Sequence, residues 1–199
     1  MNFTHACFLI SSAEINRMPA DTGHEVAFAG RSNAGKSSAL NRLTHQTSLA
    51  RTSATPGRTQ LVNFFALDDA ASLRLVDLPG YGFARAPRAA QAKWAELVEH
   101  YLAERASLAG LVLLADSRHA LKPGDETMIT WAEASKLPLL LLLTKADKLK
   151  RGAQGKALAT IRTSLPANAE ALIFSARTGL GLDAARAWIA GRFEPRTQR

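Results

Sequence analysis

Residues 30–38 read Gly30-Arg31-Ser32-Asn33-Ala34-Gly35-Lys36-Ser37-Ser38, directly after the apolar run 26–29. The first eight fit G-x-x-x-x-G-K-[ST], the pattern of a loop that wraps phosphate between a strand and a helix. Glycine permits the backbone dihedrals that turn successive N–H groups inward into a nest for anionic oxygens. The helix expected to start near Lys36 aims its positive end at the same place. Lys36 supplies a full charge for the outer phosphates, and the Ser37 hydroxyl can ligate Mg²⁺. Arg31, Ser32, Asn33, Ala34 and Ser38 complete the expected lining. The plainer alternative is a glycine turn that caps a helix.

Working outward, short apolar runs at 26–29, 61–67, 73–76, 111–115, 139–143 and 171–174 alternate with longer segments of helical period. Several runs are apolar nearly throughout, as strands buried on both faces must be. Helices are expected from near Lys36 and over 88–105, 124–135, 153–165 and 182–192, with Trp94, Leu97, Val98, Tyr101 and Leu102 on one side of the second. This alternation predicts an α/β fold of three layers, a mostly parallel six-stranded sheet with helices on both faces. The whole chain, 1–199, reads as one domain with a short N-terminal extension, 1–22, and a basic tail, 194–199. Residues 44–59 lack an apolar period and predict a long functional loop.

The strand at 73–76 runs into Asp77-Leu78-Pro79-Gly80. An aspartate at the carboxyl end of such a strand can hold Mg²⁺ through water. Gly80, lacking a Cβ, can bring its N–H to a terminal phosphate. The strand at 139–143 runs into Thr144-Lys145-Ala146-Asp147. A carboxylate there can accept from the N1–H and the exocyclic amine of guanine, a donor pair that adenine lacks, so Asp147 would select GTP over ATP. The stem of Lys145 can pack along the base. Phe174-Ser175-Ala176 follows the last apolar run, where a backbone N–H could meet guanine O6.

The order G-x-x-x-x-G-K-S, D-x-x-G, T-K-x-D, S-A resembles the translation-factor-like P-loop GTPases. The stretches GRSNAGKS, TPGRTQ and DLPGYGFA, with Arg118-His119 after Asp116, look like the EngB (YihA) family of ribosome-biogenesis GTPases. The resemblance covers essentially the whole chain. Ala120 stands where family members often carry proline. The resemblance implies a GTP/GDP switch that hydrolyses GTP, with a large ribosomal subunit precursor and its ribosomal RNA as partner. It places Gly57, Arg58 and Thr59 at the nucleotide, with Thr59 joining Ser37 and Asp77 as a metal ligand; Thr52 and Thr55 lie in the same loop. Tyr81 occupies the position where many GTPases carry a glutamine that orients water, so slow intrinsic hydrolysis is expected. Related GTPases with asparagine at the place of Asn33 can use it to help hold K⁺, which would stabilise charge at the phosphates. Lys36, Thr59 and Asn33 are therefore the expected catalytic set.

The net charge of +8 over 199 residues favours an anionic partner. Arg31, Arg51, Arg58, Arg85 and Arg88 cluster around the phosphate loop and the two presumed switches. Arg186, Arg192, Arg196 and Arg199 form a second basic stretch; either set could grip RNA phosphates or be a solvated face. The single cysteine, Cys7, excludes an internal disulfide and reads as a small buried side chain. No signal peptide is evident, and the longest apolar run, 137–143, contains a proline and falls far short of the roughly 20 residues that span a bilayer. A cytoplasmic monomer without a membrane partner is expected. Two other classes stay open: a P-loop ATPase or small-molecule kinase, which leaves Asp147 unexplained, and a passive RNA-binding protein with a structural nucleotide.

Overall fold

The computed structural model describes the backbone of residues 1–50, 61–81 and 88–194, and the side chains of these except 88–94. Seven strands, β1 (Cys7–Ser12), β2 (His24–Gly30), β3 (Val62–Ala66), β4 (Leu73–Asp77), β5 (Leu108–Asp116), β6 (Leu139–Thr144) and β7 (Ala169–Ile173), form one sheet in the order β1-β3-β4-β2-β5-β6-β7. Strands β4, β2, β5, β6 and β7 are parallel, while β3 runs antiparallel to both of its neighbours. The helices are α1 (Lys36–Thr44), α2 (Arg88–Glu104), α3 (Pro123–Ala134), α4 (Arg151–Arg162) and α5 (Leu182–Phe193).

The central strands need covering on both faces because successive side chains point to opposite sides. Leu140 and Leu142 of β6 join Leu40 and Leu43 of α1 and Ile189 of α5 in one core. Leu139, Leu141 and Leu143 join Leu97 and Tyr101 of α2 and Ile129 of α3 in the other. Each fully buried leucine contributes about 1.5–3 kcal/mol. The sheet is thus the middle of three layers, and the carboxyl ends of β2, β4, β5 and β6 meet along one rim. Open parallel sheets bind ligands at that rim.

The structure corrects the expected strand count from six to seven. Part of the expected N-terminal extension, Cys7–Ser12, is an edge strand paired antiparallel with β3 and bulged between Phe8 and Ile10. Cys7 is exposed there rather than buried. Thr44 is not in the loop that follows α1 but is its last residue, buried, with Oγ1 donating to Leu40 O at 2.9 Å. The opposite end of the sheet is tied by a buried carboxylate. Glu25 accepts from Arg74 at 2.7 Å, Arg105 at 2.8 Å and Tyr101 Oη at 2.8 Å. Breaking such a pair would strand a buried charge at several kcal/mol.

Candidate nucleotide site

Gly30 ends β2 and Lys36 begins α1, so five residues reverse the chain at the binding rim. The turn needs two left-handed residues, Asn33 at φ 64° and Gly35 at φ 95°. Gly35 is the N-cap of α1, and that helix has no acidic residue in its first turn to compete for its exposed N–H groups. Ala34 is buried, while Arg31, Asn33 and Ser38 are exposed and Ser32, Gly35, Lys36 and Ser37 are half-buried. The loop is tethered from below: Thr144 Oγ1 donates to Ala34 O at 2.6 Å and to Ala115 O at 3.1 Å.

Lys36 Nζ pairs with Asp77 Oδ1. Asp77 ends β4 and is nearly buried, and its second oxygen accepts from Asn63 Nδ2 at 3.4 Å. The phosphate-loop lysine and the expected metal-binding carboxylate therefore meet. Beyond Asp77, Leu78 and Pro79 are buried, and Gly80 lies so close to the phosphate loop that a Cβ would sit 3.3 Å from Ser32 N. Tyr81 N donates to Gly30 O at 3.2 Å, and Ser32 N donates to Tyr81 O at 3.0 Å.

The Tyr81 side chain turns away from this bridge. Its hydroxyl donates to Asp125 Oδ1 at 2.6 Å, and its ring lies against Gly124, where a Cβ would come within 3.0 Å. Asp125 is buried near the start of α3 and also accepts from Lys122 N at 2.9 Å. Burial, with the Asp125 hydrogen bond and charge adding, pushes the Tyr81 phenol far above the usual tyrosine range. It stays protonated and cannot serve as a base near neutral pH.

At the other end, Lys145 sits at φ 57° and its Nζ donates to Asn33 O at 2.7 Å, with Asp116 Oδ2 at 3.0 Å. Arg118 clamps the same Asp116 through Nε at 2.9 Å and Nη2 at 2.7 Å. The hydrogen bond from Arg118 outweighs burial and, with Lys145, holds the Asp116 carboxyl well below the usual range. Asp147 Oδ1 accepts from Ser175 Oγ at 2.7 Å, and Oδ2 from Arg177 Nε at 3.0 Å. The Ser175 bond is the leading cause of a lowered Asp147 pKa. Ala146, Phe174 and Ser175 beneath it are fully buried, and Ala146 N donates to Phe174 O at 3.2 Å.

One cavity of about 520 Å³ joins the start of α1 to the Thr144–Asp147 turn, with the Lys36–Asp77 pair and Gly80 outside its lining. It runs from Gly35 and Ser38 past Thr144 and Lys145 to Asp147, Phe174 and Ala176. Its other wall is Asn41, Arg42, His45, Gln46 and Thr47, which motif reading missed. Asn41 holds that wall: Nδ2 donates to Ala50 O at 3.0 Å and Oδ1 accepts from Ala50 N at 2.7 Å. Arg177, Asp116 and Asp125 were also missed as supports, although Asp116 precedes the Arg118-His119 pair that carries the resemblance. The expected residues Thr52, Thr55, Gly57, Arg58 and Thr59, and Arg51, Arg85, Arg196 and Arg199, lie outside the described residues, as do the side chains of Arg88 and Trp94. Of the second basic stretch, Arg186 is turned inward, donating to Leu43 O at 2.6 Å and lying over Phe3, and Arg192 lies over Trp188. Both are half-buried, with their guanidinium groups packed on aromatic rings.

The family model of the 50S ribosome-binding GTPases matches residues 25–145. The chain is 48% identical over 202 residues to the Probable GTP-binding protein EngB of Photobacterium profundum, covering 100% of this chain and 86% of that one. It is 50% identical over 194 residues to the same-named protein of Coxiella burnetii, covering 96% and 94% of the two chains. Among solved structures, one described as a probable GTP-binding protein engB superposes with a TM-score of 0.67 at 22% identity, over 85% of this chain and 98% of that chain. Era of Aquifex aeolicus bound to GDP and aluminium fluoride superposes with a TM-score of 0.71 at 21% identity, over 89% of this chain and 58% of that chain. These two likenesses show the P-loop GTPase fold. By its sequence kinship over nearly its whole length, the chain belongs to the EngB family of GTP-binding proteins and is a GTPase.

Proposed function

We propose that this GTPase is a nucleotide-dependent switch that assists assembly of the large ribosomal subunit in the cytoplasm, acting as a monomer on precursor particles through their ribosomal RNA. The observation that carries the reading is the cavity from Gly35 and Ser38 to Asp147, with Lys145 joining the two sides through Asn33 O. Such a cavity lets the two ends of one guanine nucleotide act on a single rigid rim. The family model's description as 50S ribosome-binding, and the net charge of +8, support an RNA-rich partner. No described helix is long and apolar enough to cross a membrane.

In this reading the base lies against Lys145 and hydrogen-bonds Asp147, while the phosphates take the N–H groups of the loop and the charge of Lys36. The Asp77 carboxylate and the Ser37 hydroxyl are hard oxygen ligands of the kind Mg²⁺ takes, and the Lys36 ammonium that now pairs with Asp77 would give way to the cation. A hard cation needs few protein oxygens when phosphates and water complete its shell. When bound, Mg²⁺ would neutralise charge on the β- and γ-phosphates, with Ser37, Asp77 and Thr59 as its protein ligands. The Gly80 N–H would meet the terminal phosphate, and because Gly80 adjoins the Tyr81 bridge to the phosphate loop, its response would change the surface offered to the particle. Asn33, exposed on that loop, is proposed to help hold K⁺ beside the phosphates; equal turnover in Na⁺ and K⁺ buffers would remove that role.

A partner can be switched only if it prefers one nucleotide state. The test is cosedimentation with ribosomal subunits in GDP and in a non-hydrolysable GTP analogue. Retention on large-subunit particles with the analogue, and release with GDP, is the expected result. Equal retention in both states would overturn the switch, and absence of retention in both would overturn the partner.

A further inference from the structure

Helix α4 breaks three local rules on one face. From residue 148 to residue 169 the chain holds Lys148, Lys150, Arg151, Lys156 and Arg162 and no acidic residue. Surface helices ordinarily mix signs, because i,i+4 pairs of opposite charge stabilise them and like charges repel. Lys150 is the N-cap, Arg151 opens the helix, and no acid occupies the first turn. Cations there oppose the helix dipole. The same face carries Gly152 and Gly155, each with open space where a Cβ would project. Each exposed helical glycine costs about 0.5–1 kcal/mol relative to alanine.

Nothing among the described residues compensates. Lys150, Arg151 and Lys156 are exposed and enter no ion pair among the described residues. The apolar side of the helix, Leu158 and Ile161, is committed to the core. A face that gives up stability in several ways, without a contact in return, points to a partner outside the chain.

We infer that the outer face of α4, with Lys150, Arg151 and Lys156 around Gly152 and Gly155, binds the phosphate backbone of RNA. Twelve helical residues present a strip about 18 Å long, enough to meet several phosphates. The glycines lower the profile between the cations, so a sugar-phosphate strand can lie close. A membrane is the poorer fit, since an interfacial helix buries an apolar face in lipid and this one keeps its apolar face in the core. The inference rests on the RNA partner of the reading above, but not on its switch. Gln154 Nε2 donates to Ala146 O at 2.8 Å and to Leu149 O at 3.1 Å, fixing α4 to the turn that carries Asp147. The face is thus built into the rigid frame, so its own share of RNA binding is the same with GDP and GTP, while the nucleotide-dependent share that sets release lies elsewhere.

The test uses the full chain and purified large-subunit ribosomal RNA, titrated across salt with GDP or a non-hydrolysable GTP analogue. The variant is K150Q/R151Q/K156Q, which spares every residue of the nucleotide cavity. Expected are RNA binding weakened at least about tenfold in both nucleotide states and a log–log salt slope shallower by about 2, at roughly 0.7 per lost phosphate contact. Thermal unfolding and GTP affinity should not fall. Parent-like RNA affinity and slope in the variant would overturn the α4 assignment while leaving the partner reading intact. A loss confined to one nucleotide state would overturn the rigid-frame argument. No RNA binding by the parent in either state would overturn both readings, and tighter capture by phosphatidylglycerol vesicles than by RNA would overturn the choice of partner.

Discussion

Lys145 Nζ donates to Asn33 O at 2.7 Å, joining the turn after β6 to the crest of the loop before α1 across 112 residues of sequence. Asn33 holds a positive φ of 64°, and Lys145 one of 57°, so both partners sit in backbone conformations that side chains disfavour. Asp116 completes the bracket by drawing Lys145 from the other side. The nucleotide cavity is therefore braced at its midpoint and not only lined.

Removing the brace should weaken binding without changing preference. Lys145→Ala should lose about ten- to a hundredfold in affinity for GTP and GDP alike, since hydrogen bonds to charged groups contribute about 1.5–3 kcal/mol. Fluorescent-nucleotide titration checks this. A variant that loses GTP but keeps GDP would show that Lys145 acts on the terminal phosphate instead.

The hydroxyl of Tyr81 should matter to stability and not to chemistry. Tyr81→Phe removes one buried hydrogen bond to Asp125, which keeps its bond from Lys122 N. The expected cost is about 1–3 kcal/mol, or roughly 2–4 °C in melting temperature per kcal/mol for a chain of this size. Hydrolysis should persist, because burial and the hydrogen bond to Asp125 hold the phenol protonated. Collapse of turnover in a folded variant would contradict this.

Acid should affect the site late. The carboxyls of Asp116 and Asp147 both lie below their ordinary values in the folded chain. A lowered group contributes fully above its unfolded pKa, about 3.9 for aspartate, and the contribution is lost as pH falls through the folded value. Binding of guanosine, which has no phosphate to titrate near pH 6, should therefore be flat from about pH 8 to about pH 5 and fall only in stronger acid. His45 also lines the cavity, so the profile is best measured in His45→Gln. A midpoint near pH 6 in that background would contradict the account.

Gly155→Ala should raise stability, since the position is helical, exposed and open. An increase of about 0.5–1 kcal/mol is expected from the helical preference of alanine. Chemical denaturation checks the sign, and a destabilised variant would mean that the glycine has an internal packing role.

Much of the fold was legible because each central strand is apolar on both faces and each helix keeps its period. Leu139 to Leu143 could hardly be anything but a buried strand. Strand β1 was not legible. Phe8, Leu9 and Ile10 are exposed at an edge, and only the distant β3 specifies their pairing. Gly35, Lys36, Asp77, Thr144, Lys145 and Asp147 carried their signal in spacing, and the structure brings them to one rim. Their supports carried none. Asp125 reads as an ordinary helix-start acid until Tyr81 is folded onto it, and Arg186 reads as surface charge until Phe3 lies beneath it. Long-range contacts of this kind leave no periodic trace.

The central claim is that one nucleotide is gripped by its phosphates at the loop that ends in Lys36 and selected for guanine at Asp147, which lines the cavity. Titration calorimetry of the full chain with GTP and ATP in Mg²⁺ buffer, repeated on Asp147→Asn, tests it most directly. The account predicts heat with GTP, none with ATP at the same concentrations, and at least about a hundredfold loss for GTP in the variant. Equal heats with GTP and ATP, or unchanged GTP binding in Asp147→Asn, would contradict it.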